Sequence, residues 1–352
     1  MKVKDRFMDH DVEDNRELVS TDPVTFPVLF NRAEEIRKKC SDYTVTGAND
    51  SNFRLNSSGG ITYQSDDGSI HYRQISRFAL GQLCSKIGVP AQYIEKCVQS
   101  GRLDLAQDNV QSWLSEYNKD LFIREYAGSI RGVLTPRFSV CDAPDILGVL
   151  EDTIGSLRIR GSYITPDRLH LRLTESSKLP VDGEDLYAGL MVDSSDVGRS
   201  TLSVHFMLYK QVCTNGLCIS KGSGILFQQK HIGISSEQFK REFEHNLHVF
   251  PELTHSIVAS IEEMRNSGMV VEDFEDEKEI QNIIDRLQRG GMSAAQSKDV
   301  IQLFRKRVEG KEDFNYENNR WGLINAITEV SKKVTLEQRI EYEKYAGRLL
   351  VA

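Results

Sequence analysis

Five basic side chains fall at strand spacing in two neighbouring stretches of this chain. In Leu157-Arg158-Ile159-Arg160 the arginines alternate with apolar residues. In Arg168-Leu169-His170-Leu171-Arg172-Leu173 the same two-residue period puts Arg168, His170 and Arg172 on one face. Thr165-Pro166-Asp167 between the stretches reads as a turn, so pairing them gathers all five into a donor-rich face without a carboxylate. Guanidinium groups suit phosphate oxygens and stack on bases, so the chemistry expected is binding of single-stranded nucleic acid. An outer face whose arginines pair with acids from another element fits the same pattern, and the C-terminal half is rich in acids. Arg131 and Arg137 flank the Leu134-Thr135-Pro136 bend and extend the surface, unless Arg137 anchors its loop to Asp142 or Asp145. Tyr126, Phe138 and Tyr163 are the aromatic residues nearest in sequence.

Catalytic constellations are scarce. The chain has no nucleophile elbow, no paired-histidine zinc motif, no phosphate loop and no dinucleotide-binding glycine pattern. Asp182, Glu184 and Asp185 before one strand, with Asp193 and Asp196 after it, would be the acids of a metal-dependent nuclease, although acidic turns are common. Thr201, Ser203 and His205 share a strand face without an orienting acid. Cys213 and Cys218 form one spaced pair, with Cys141, His205 and His231 as conceivable partners. A structural zinc site wants two close pairs, so reduced core thiols, no metal and no cofactor are expected.

Three stretches carry a resemblance. Val197 to Leu217, VGRSTLSVHFMLYKQVCTNGL, is similar to a motif of a phage- and plasmid-borne protein family of unknown function, as are Ile130 to Phe138 and Trp321 to Glu329. Together they cover about Ser76 to Val334. The chain departs from the family after Thr328-Glu329, where Val330-Ser331-Lys332-Lys333 stands in place of a tyrosine and a histidine-containing end. The resemblance implies a bacteriophage or mobile-element context inside a host bacterial cell. It raises the expectation of an accessory to recombination or replication. The competing expectation is a protein-interaction module that blocks a host defence factor through its acidic surface.

The elements that must position these residues follow from periodicity. From Thr201 the residues alternate, Leu202, Val204, Phe206 and Leu208 on one face and Ser203, His205, Met207 and Tyr209 on the other, as a central strand does. Asn215-Gly216 beyond it is a strong two-residue hairpin signal, which would set Thr214 opposite Leu217 and Cys213 opposite Cys218. The expected fold is α+β, a mostly antiparallel sheet with flanking helices. The expected division is an arm and small hairpin region over 1–74, a helical segment over 75–120, a β-rich core over 121–235 and a helical region over 236–352. The 75–120 helices read as a lid on the sheet or, alternatively, as a DNA-binding helix pair.

Composition sets outer bounds. At 352 residues, 39% apolar and 27% charged, the chain can bury a sizeable core, and a net charge of −8 disfavours whole-molecule attraction to DNA while allowing a local basic patch. No apolar run approaches the ~20 residues of a membrane span. The N-terminus lacks an apolar signal core, so the expected location is cytoplasmic. Expected partners are a single-stranded nucleic acid, a host or phage protein, or a second copy of the chain.

Overall fold

The computed structural model describes residues 24–210, 215–219, 224–311 and 315–350. It is an α+β fold built on two six-stranded sheets, each mostly antiparallel. None of the described helices is long and apolar enough to cross a membrane.

The first sheet contains β1 (Cys40–Ala48), β2 (Phe53–Leu55), β3 (Ile61–Gln64), β4 (Ile70–Ile75), β5 (Lys119–Tyr126) and β6 (Ser129–Leu134) in the order β1-β5-β6-β4-β3-β2. β4 and β6 form its parallel pair. Between β4 and β5 run α2 (Arg77–Ile87), α3 (Ala91–Gln99) and α4 (Leu103–Tyr117), whose Leu80, Leu83, Ile94, Val110 and Leu114 share a core with this sheet. Ser76 caps α2 by accepting from the Ala79 amide at 3.1 Å, and Gly88 ends it at a φ of 76°. These helices cover the first sheet, not the later sheet on which a lid was expected.

The second sheet contains β7 (Arg158–Ile164), β8 (Leu169–Thr174), β9 (Leu186–Ser194), β10 (Leu202–Lys210), β11 (Asn215–Ile219) and β12 (Ile225–Gln229). Its order is β11-β10-β9-β8-β7, and β12 pairs with β10 alongside β11, so two short strands divide one edge of β10. One face, through residues such as Leu171, Leu190, Val204 and Phe206, packs on α1 (Phe26–Arg37), α5 (Ala143–Ile154) and C-terminal helices. The C-terminal helices that share this core are α6 (Ser236–Leu247), α7 (Phe250–Arg265), α8 (Glu277–Arg289), α9 (Ala294–Val308) and α10 (Arg320–Val330), with α8 and α9 packed on one another and α9 on α10. The opposite face meets α11 (Leu336–Leu350), whose Leu336 and Ile340 cluster with Tyr163, Tyr187, Met191, Met207, Tyr209 and Cys218. All of β8 and β9 is therefore buried.

Two expectations need correction here. The strands over 121–134 do not join the later sheet. The Ala127-Gly128 turn folds β6 onto β5, and Leu121 to Tyr126 pairs with Cys40 to Val45, so the presumed small hairpin region belongs to a full sheet. Asn215-Gly216 is not the hairpin turn. Asn215 pairs with Lys210 and Gly216 with Tyr209, so the connection is 211–214; Cys213 and Thr214 lie outside the described residues. This register sets Leu208 opposite Leu217 on one core face and Met207 opposite Cys218 on the other. A register that buries apolar residues on both faces outweighs the local turn preference.

Candidate functional site

The arginine face of β7 and β8 is not offered to solvent, which corrects the expectation of a basic outer surface. Arg168 donates from Nε to Asp193 Oδ1 at 2.9 Å and from Nη1 to Glu337 Oε1 at 2.9 Å. Arg172 binds both oxygens of Glu343 from Nη2, and Glu343 also accepts from Arg339 Nε at 3.0 Å. His170 is fully buried, with Nδ1 3.6 Å from Asp193 Oδ1. Arg160 sits at a bulge between Ile159 and Gly161; it donates to Thr174 Oγ1 at 2.9 Å and lies over the Tyr187 and Tyr209 rings at 4.9 and 5.7 Å. Arg158 alone of the five is exposed. Alternation separates two faces of a strand; it does not say which element will cover them, and here α11 brings the acids.

A second buried network joins the sheets. Arg124 reaches Asp42 through Nε (2.9 Å), Asp142 through two bonds of 2.8 Å, and the Asp196 carbonyl (2.7 Å). Burial pushes the Asp142 carboxyl up, but hydrogen bonds and charge from Arg124 outweigh it and hold the pKa below its ordinary value. Asp196 goes the other way. Burial and the nearby Asp142 charge push it up to about 7, against the pull of Arg131 and Arg124. Arg131, placed by the sequence on a binding surface, is fully buried here, 3.7 Å from Asp196 and donating to the Pro166 carbonyl. Arg137 is exposed on the turn after β6, while Phe138 stacks with Phe122 and with His231, and Tyr163 lies under α11.

The acids considered for a metal are engaged otherwise. Glu184 binds Lys210 and Trp321 Nε1, Asp185 binds Lys178, and Asp193 binds Arg168. Among the described residues no group of three or more His, Cys, Asp and Glu is arranged to hold a metal ion. The described cysteines, Cys40, Cys84, Cys97, Cys141 and Cys218, are free thiols.

An open basic groove of about 580 Å³ lies elsewhere, between α2 and the β9–β10 connection. It is lined by Arg77, Phe78, Gly81, Gln82, Ser85, Lys86 and Arg199, with no carboxylate among them. Six of these occupy one face of α2, recurring at the spacing of successive helical turns. Gly81 leaves the floor open, since an added Cβ there would meet nothing within 4 Å. Gln82 fixes the two walls. Its Nε2 donates to the Val197 carbonyl at 2.8 Å and its Oε1 accepts from the Val133 amide at 2.9 Å. Gly198 turns the chain at a φ of 78°, and Ser195 Oγ accepts from the Arg199 amide at 2.9 Å. The Arg199 guanidinium stands 4.2 Å above the Phe78 ring while Nη2 reaches Asp167 at 3.4 Å. Arg77 is 3.5 Å from Glu95. Burial pulls the Lys86 ammonium below its ordinary pKa. The turn carrying Arg137 adjoins this groove, because a Cβ on Gly198 would meet Leu134 and Phe138 side chains within 4 Å.

Arg77, Phe78, Lys86 and Arg199 are not among the functional candidates that the sequence alone offers. A signal was present in the polar stripe of α2, which opens on Arg77-Phe78 and closes on Ser85-Lys86, and in Gly198-Arg199 inside the longest family-like stretch. Comparison with family models, curated proteins and solved structures finds no match in any of the three. The resemblance to the phage- and plasmid-borne family rests on its residues alone.

Proposed function

We propose that this protein binds single-stranded nucleic acid, and that the α2 groove, not the β7–β8 face, receives it. The observation that carries this reading is the guanidinium-on-ring pair of Arg199 and Phe78 in an open groove whose lining also includes Arg77 and Lys86 and no carboxylate, the Asp167 and Glu95 that meet Arg199 and Arg77 lying outside that lining. Backbone phosphates take the cations, and a splayed base takes the aromatic and guanidinium planes. A phosphate arriving beside Lys86 would favour its charged form, against the burial that lowers its pKa. With a net charge of −8 the attraction must come from a local patch, and each phosphate contact there makes binding fall with salt. The narrower role of a recombination or replication accessory is supported by the sequence resemblance alone.

The test is a fluorescence-anisotropy titration of the full chain with single- and double-stranded oligonucleotides at two salt concentrations. Saturable binding of the single strand that weakens with salt supports the reading; no binding of either strand at low salt refutes it. A protein-interaction module is the second reading, favoured by the exposed Tyr93, Leu105 and Trp113 on α3 and α4. Absence of nucleic-acid binding would move the assignment to that surface.

A further inference from the structure

A cavity of about 480 Å³ opens between α7's C-terminal end, α8, α10 and α11, remote in sequence from the basic groove. Its wall is apolar, through Val270, Ile283, Leu287, Leu323, Ile324 and Leu349. Its polar lining includes the arginines Arg286 and Arg320 and the phenol of Tyr345, with no carboxylate. Both arginines are exposed, and neither makes an ion pair among the described residues. Arg320 spends one hydrogen bond on the Leu349 carbonyl at 3.3 Å. Tyr345 donates to the Arg286 carbonyl at 3.1 Å, and its ring rests so closely on Gly290 that a Cβ there would collide with it. Arg348 lies 5.6 Å from the centroid of the same ring. In a chain with 52 acids against 44 lysines and arginines, a site bearing arginines without a matching acid is a local inversion of sign.

We infer that this cavity binds a small amphipathic carboxylate, its apolar body against the leucine, isoleucine and valine wall and its head between Arg286 and Arg320. The volume falls within the usual range of small-molecule sites, which pair a mostly apolar lining with a few placed polar groups. A guanidinium fork matches a carboxylate bidentately, which a neutral or cationic head cannot exploit. The exposed Met269, 68% accessible at the rim, supplies an adaptable apolar surface where the chain of the ligand leaves the wall.

Isothermal titration of the full chain with decanoate, decanol and decyltrimethylammonium, each below its micelle concentration, tests this. The expected result is one decanoate per chain, held about tenfold or more tighter than either other head group. Arg286→Gln with Arg320→Gln should erase that preference while leaving the melting temperature in place, since both side chains are exposed. Equal binding of the three amphiphiles by the unmodified protein, or no saturable decanoate binding, overturns the inference. Retention of the full preference by the folded double variant places any carboxylate site elsewhere and overturns it equally.

Discussion

Arg172 donates from Nη2 to both carboxylate oxygens of Glu343, at 3.0 and 2.9 Å, with each side chain 1% exposed. A second pair, Arg168 with Glu337, repeats the link between the start of β8 and the same helix. Arg168 immediately precedes β8 and Arg172 lies four residues on, ~13 Å of extended chain, while the glutamates are six apart on α11, ~9 Å of helix. Long side chains absorb the difference. The two pairs therefore lock α11 in one register over the sheet.

Breaking the inner pair should be severe. Arg172→Ala leaves Glu343 buried with Arg339 as its remaining ion-pair partner, and the expected cost is about 3–5 kcal/mol. Arg172→Met with Glu343→Leu should recover part of that loss, because the two fully buried charges leave together and only the less buried Arg339 loses its Glu343 contact. Chemical denaturation of the single and double variants measures both.

Asp196 gives a pH dependence of known sign. Its folded pKa of about 7 lies above the ordinary carboxyl value of 3.8, so between those values the folded state holds a proton that the unfolded state has lost. Asp196 therefore costs stability progressively as pH rises from about 4 to about 7. Asp196→Asn removes that dependence. Stability of the variant minus that of the native protein should grow with pH across this window, as read by denaturant midpoints at successive pH values.

His205 acts in the opposite direction. Burial, with the Lys344 charge against it and Asp193 in its favour, lowers its pKa from 6.5 to about 4. Neither ring nitrogen has a hydrogen-bond partner among the described residues. The unfolded chain gains a proton there below about 6.5 that the folded chain refuses, so stability falls as pH drops toward 4. His205→Met should raise the melting temperature at pH 5 more than at pH 8, since it removes an unsatisfied buried polar group as well.

The tight turn of the first sheet is Ala127-Gly128, with φ of 46° and 80°. Gly128→Val should cost more than Gly216→Val, because Gly216 lies within β11 opposite Tyr209. Ala127→Gly should stabilise by roughly 0.5–1 kcal/mol, since alanine is strained at positive φ. Thermal melts of the three variants rank them.

Local signals were legible where the chemistry is local. Ser76 and Gly88 bound α2 as their capping chemistry implies, and Asp142 opens α5 with a capping box closed by Asp145. The alternation at 158–164 and 169–174 gave real strands. Long-range choices were not legible. Nothing in residues 119–134 says that they pair with 40–45 rather than with 158–174. Nothing in Arg168 to Arg172 says that Glu337 and Glu343, far along the chain, will cover them. Of the candidate site, Arg199 lay within a stretch already singled out, whereas Arg77, Phe78 and Lys86 become a groove only when the β9–β10 connection docks against α2.

The measurement closest to the central claim compares Arg77→Gln/Lys86→Gln with the native chain and with Arg158→Gln, by anisotropy of a labelled single-stranded oligonucleotide across a salt series. Two lost phosphate contacts should flatten the slope of log affinity against log salt by about 1.4, at about 0.7 per contact, and weaken binding about tenfold at low salt. Arg158→Gln, on the face that α11 covers only in part, should bind as the native protein does. A folded groove variant with native affinity and slope, or loss of binding in Arg158→Gln instead, would contradict the assignment.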